Sequence, residues 1–132
     1  MHLYSLHTIS INGGLMNEQQ MKKRTKDFAK NIILLCRKLP NNREGRLIGN
    51  QMFRAGTSVA ANYRAAFRGR SKAEFVSKLA IVEEEADETM FWLELIKEMN
   101  IYSDSLVDEL LKESDELVAI FVSSIRTAKQ KR

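Results

Sequence analysis

The sequence predicts an all-α fold, an antiparallel up-down-up-down four-helix bundle, on three observations. Its 132 residues include one proline and six glycines, too few for a sheet-and-turn architecture. Four segments repeat apolar residues in alternating steps of four and three, the seam pattern of bundle helices. The links between these segments are short, which sets consecutive helices side by side.

The first helix is expected over 17–39, with Met21, Thr25, Phe28, Ile32, Leu35 and Leu39 as its seam. Asn17 and Gln20 supply a capping signal, and Pro40 blocks extension. The second is expected over 42–67, with Ile48, Met52, Ala55, Val59, Asn62 and Ala66 in the seam and Asn41 with Glu44 as its capping pair. The third, over 72–99, runs through Phe75, Leu79, Val82, Ala86, Thr89, Leu93 and Ile96, behind a capping box of Ser71 and Glu74. The fourth, over 103–128, runs through Leu110, Ser114, Leu117, Phe121 and Ser124, widened by Leu106, Val107, Leu111, Val118 and Ile125.

Residues 16–132 therefore read as a single domain. Residues 1–15 read as a disordered or non-native leader. They hold no lysine, arginine or acid and no small-residue cleavage site, so they make a poor signal peptide. Codons for Gly13-Gly14-Leu15 can spell a ribosome-binding sequence just ahead of Met16, which marks Met16 as the expected start.

The net charge of +4 hides an asymmetry: residues 21–78 carry +12 and residues 79–132 carry −7. Such halves bind partners of opposite charge, or each other. The single cysteine, Cys36, sits in an apolar helical run and rules out a disulfide framework within one chain. A cytoplasmic setting is the expectation. No stretch approaches the length needed to cross a bilayer, so no membrane partner is expected.

The stretch from Arg54 to Phe75 is the candidate for function. It contains neither phosphate-loop glycine pattern, and no strand signal precedes it. Ala55, Gly56, Ser58, Ala60 and Ala61 instead allow another helix to approach closely. Asn62 is expected as a structural polar core residue setting register, with Tyr63 able to supply a hydroxyl partner. Arg54, Arg64, Arg68, Arg70 and Lys72 lie off the seam, as does an outer stripe of Lys23, Lys30 and Arg37 on the first helix. These eight are the candidate phosphate contacts for RNA or DNA.

Catalysis and metal binding are not expected. The acidic run from Glu83 to Glu88 has no histidine to complete a bundle metal site, because His2 and His7 are the only histidines and lie in the leader. No nucleophile–base pair is apparent, and no cofactor is expected. The third helix is too apolar for one seam: Met90, Phe91, Trp92 and Leu95 lie off it, and Phe91, Trp92 and Leu95 are the candidate oligomer interface.

Residues 58–96 closely resemble the bacterial four-helix-bundle proteins called 23S rRNA-intervening-sequence proteins. Ser58, Asn62, Arg70, Ser71, Glu74, Phe75, Glu85, Glu88, Trp92 and Glu94 carry the match. Tyr63-Arg64-Ala65-Ala66 stands where Ile-Ala-Glu-Gly commonly follows the asparagine. The resemblance implies a ring-like homopentamer, with an rRNA label that reflects gene location. A similar bundle is the accessory protein of diversity-generating retroelements, where a basic pentamer binds nucleic acid and a reverse transcriptase. The expected function is thus a non-enzymatic oligomer binding RNA or DNA backbone. The alternative is a protein-interaction scaffold for a nucleic-acid enzyme.

Overall fold

The computed structural model describes residues 8–11 and 14–131, with side chains from Asn17 onward. Four helices make up most of it: α1 (Glu18–Lys38), α2 (Arg43–Ala66), α3 (Lys72–Glu98) and α4 (Ser105–Gln130). Each begins and ends within a turn of the span expected from spacing. They form a four-helix bundle in which α2 packs on α1 and α3, and α4 packs on α3 and more sparsely on α1.

A two-stranded antiparallel hairpin precedes α1, with β1 (Thr8–Ile11) paired to β2 (Gly14–Asn17). β1 and the first residues of β2 fall within the segment expected as a disordered or non-native leader. The alternation of β-branched residues ahead of Asn12-Gly13 is the sequence signal for the hairpin. Residues 1–7, 12 and 13, the rest of that expected leader, lie outside the described residues.

The caps fix where helices begin. Asn17 and Gln20 form a complete capping box, each side chain meeting the other's backbone N–H at 2.8 Å. At α2 the cap is Asn42, which accepts from the Gly45 N–H at 2.9 Å. The expected Asn41 is displaced from that role and accepts from Arg46 instead. Ser71 caps α3, accepting from the Glu74 N–H at 3.1 Å, while the Glu74 carboxylate reaches past Ser71 to the Arg70 N–H. Asp104 caps α4 through the Leu106 N–H. After α3, Asn100 takes a left-handed φ of 52°, a conformation asparagine tolerates.

Burial follows the expected seams on α3 and α4, and on α1 as far as Leu35, with Leu39 half-buried; α2 differs. Its inward face is Gly45, Gly49, Met52, Gly56, Val59, Tyr63 and Ala66, with Ala55 beside it, so Ile48 and Asn62 leave the seam. Glycine is the physical reason. A Cβ on Gly49 would stand 3.2 Å from Leu39, and one on Gly56 would stand 2.8 Å from Ile32. The α1–α2 contact is closest where α2 has no side chain, a signal that counting apolar residues overlooks.

Tyr63 therefore takes the core place expected of Asn62. It is fully buried, with ring centroids 5.1 Å from Phe67 and 5.6 Å from Phe121. Its hydroxyl has no hydrogen-bond partner among the described residues, and burial pushes its pKa up. Asn62 is only half-buried and donates to the Ser58 carbonyl one turn back, so its bonding is local to α2.

Ion pairs also join α1 to α4. Arg24 donates to Glu113 at 2.6 and 2.7 Å and to Glu116 at 3.1 Å. Lys38 pairs with Asp104 at 3.3 Å near the other end of α1.

Candidate nucleic-acid interface

Three contacts bring the helix ends together. The Phe67 and Phe75 rings meet at 5.3 Å across the α2–α3 turn. The Lys22 ammonium lies 5.2 Å from the centroid of Phe67. Lys72, at the start of α3, donates to the carbonyls of Lys129 and Lys131 at the end of α4. The first turns of α1, the end of α2, the start of α3 and the end of α4 thus share one end of the molecule. Arg64, Arg68, Arg70, Lys72 and Lys78 make this end basic, while Arg37, Lys38, Arg43 and Arg46 of the same basic half lie at the other end.

The eight candidate cations do not share one environment. Arg54 is committed: it donates to both oxygens of Glu85 at 2.8 and 3.2 Å and to Glu88 at 2.7 Å. Those hydrogen bonds push the Arg54 pKa up. Glu88 also accepts from the Trp92 indole at 3.0 Å, and its pKa is lowered by that bond and by Arg54. Lys72 is engaged with the last carbonyls of α4, where a cation also meets the negative end of the helix dipole. Lys23 pairs with Asp27 at 2.6 Å, and that hydrogen bond lowers the Asp27 pKa.

Lys30, Arg37, Arg64, Arg68 and Arg70 are exposed and make no ion pair among the described residues. Arg64, Arg68 and Arg70 flank the α2–α3 turn. Arg68 and Lys78 border a shallow hollow of about 590 Å³ with Gly69, Ala73, Ser77 and the acidic Glu74. Lys78 was not singled out by spacing; it joins the turn because α3 carries it back toward Arg68.

A second concavity of about 790 Å³ runs between α1 and α2. Lys23, Lys26 and Lys30 form one rim and Arg64 the other, over a floor of Ala29, Ile33, Ala60 and Ala61. Lys26 was also missed, although it falls between Lys23 and Lys30 at helical spacing. Arg37 continues the stripe beyond the groove.

The interface candidates separate as well. Phe91 is 49% exposed, whereas Trp92 and Leu95 are half-buried and Trp92 packs on the core. Phe91 and Trp92 meet edge to face at 5.0 Å. Cys36 is half-buried beside Gly49, and burial pushes its thiol up to about 11. Among the described residues no three acidic, histidine or cysteine side chains are grouped to hold a metal ion. None of their helices is long and apolar enough to cross a membrane.

A family model described as 23S rRNA-intervening sequence protein matches residues 17–123. The chain belongs to this family. The match begins at the Asn17 cap and extends into α4, so it covers α1, α2, α3 and the greater part of α4. The 23S rRNA-intervening sequence fold also has a solved relative. It is a protein of unknown function from the S23 ribosomal protein family of Bacteroides thetaiotaomicron VPI-5482, with a crystal structure at 1.70 Å. That chain is 32% identical, superposes with a TM-score of 0.77, and is covered over 99% of its length by 84% of this one. No curated protein matches this sequence. The family and this relative are described without an enzymatic activity.

Proposed function

We propose that this 23S rRNA-intervening sequence family member is a non-enzymatic, self-assembling bundle that holds the backbone of RNA or DNA at its basic end. The observation that carries this reading is the exposure of Arg64, Arg68 and Arg70 around one turn, without acid partners among the described residues. Exposed arginines around a turn suit phosphate oxygens, which they meet bidentately and without reading bases. Up-down-up-down order is supported by the contacts at both ends of α3 and α4: Lys72 reaches Lys129, and Lys97 pairs with Asp108 at 2.5 Å. Assembly as a homopentamer is implied by the family resemblance, and the exposure of Phe91 agrees with self-association.

The test is fluorescence anisotropy on structured RNA and duplex DNA across a salt series. Wild-type affinity should fall linearly in log–log form, by about 0.9 in slope per neutralised duplex phosphate. Arg68→Glu with Arg70→Glu should weaken binding at least tenfold and reduce the slope by about two. Absence of wild-type binding at low ionic strength would remove the reading.

A further inference from the structure

We propose that the groove between α1 and α2 seats the outer face of α3 from a second copy of this chain. This rests on the self-association reading above and assigns both of its faces. Phosphate recognition does not require an apolar floor, but the groove has one, made of Ala29, Ile33, Ala60 and Ala61. Small residues there leave room for a large side chain to descend between two basic rims.

α3 carries the complementary surface. Glu84, Asp87, Phe91, Glu94 and Glu98 are all exposed and climb the helix in steps of three, four, three and four. They make one stripe about 21 Å long, at 1.5 Å per residue, with an aromatic ring at its centre. Lys23, Lys26, Lys30, Ile33 and Arg37 climb α1 in the same steps. Laid side by side in the same direction, the stripes bring Lys23 to Glu84, Lys26 to Asp87 and Arg37 to Glu98. Phe91 then falls beside Lys30, over the floor, and Glu94 falls beside Ile33, within a turn of Lys30.

Among the described residues, Lys23 alone of these charges makes an ion pair within the chain, with Asp27. Lys26, Lys30 and Arg37 make no ion pair among the described residues, nor do Glu84, Asp87, Glu94 and Glu98. α3 packs on α2 and α4, so its outer stripe and the groove occupy different sides of the same bundle. Each copy therefore gives one face and receives the other. Such a heterologous contact closes into a ring when its rotation permits.

Sedimentation velocity on the full chain tests this, with circular dichroism to confirm retained helix. Lys26→Glu with Lys30→Glu should dissociate the assembly, as should Asp87→Lys with Glu94→Lys. The chain carrying all four changes should reassemble, because the charges are exchanged rather than lost. Phe91→Ala should weaken association at least tenfold. A monomeric wild type would defeat self-association itself. A wild-type assembly that survives either reversed pair would overturn this interface alone, as would dissociation without recovery in the four-fold swap. Retained assembly with lost RNA binding in the Lys26/Lys30 variant would give the groove to nucleic acid instead.

Discussion

Gly56 lies directly beneath Ile32: a Cβ built on the glycine would stand 2.8 Å from both γ-carbons of the isoleucine. The isoleucine is fully buried and has no room to retreat. Alanine at position 56 would gain about 1 kcal/mol of helix propensity and lose more to overpacking, which typically costs about 1–3 kcal/mol. Gly56→Ala should therefore lower stability by up to about 2 kcal/mol in urea unfolding. Combining it with Ile32→Ala should show strong coupling, because the alanine removes the atoms that clash. Additive effects would mean that the two helices part easily at this point.

Glu88 connects Arg54 to Trp92, and its carboxylate is held below its ordinary value of 4.5. A depressed folded-state pKa contributes stability that is present above the unfolded value and is lost as pH falls through the folded one. The sole tryptophan reports on it directly. Trp92 emission should change on acidification below about pH 4.5, and Glu88→Gln should remove that step. A partly exposed pair contributes little to global stability, so the melting temperature at neutral pH should change only slightly.

Cys36 has its thiol pushed up to about 11 from 9.0, because burial disfavours the thiolate. Two pH units correspond to about a hundredfold less thiolate at any pH well below both values. Iodoacetamide should modify the native protein about a hundredfold more slowly than the unfolded chain at pH 8. Equal rates would show that the thiol is free of the Gly49 contact.

Lys72 and Arg68 are both basic, but the Arg68 guanidinium has no ion pair among the described residues, whereas the Lys72 ammonium is held by two carbonyls. Lys72→Ala should speed hydrogen exchange in the last turn of α4 and cost about 0.3–1 kcal/mol, the usual scale for a cation at a helix C-terminus. Its effect on nucleic-acid binding should be smaller than that of Arg68→Ala. The reverse order would show that the ammonium leaves the carbonyls of Lys129 and Lys131 when a ligand arrives.

The helices themselves were legible because periodicity is local. All seven seam positions of α3, from Phe75 to Ile96, are buried as their spacing predicts. On α2 the same rule selected Asn62 over Tyr63, because the true seam is marked by glycines whose value lies in what they omit. The candidate site was less legible for a different reason. Nothing local to Arg54 distinguishes it from Arg64, yet one meets two carboxylates more than thirty positions away and the other meets none among the described residues. Long-range partnership decides which cations remain free, and spacing along one helix carries no record of it. The imbalance between halves does not locate the basic end; the fold does, by bringing the start of α1, the α2–α3 turn and the end of α4 to one place.

That place has a consequence for valency. The α2–α3 turn lies at one end of the bundle, so parallel copies would gather every Arg68 and Arg70 onto a single rim. Sites too weak to hold a polyanion alone would then act at high effective concentration on neighbouring phosphates. Residence on a long strand would be governed by avidity, while short oligonucleotides would exchange freely.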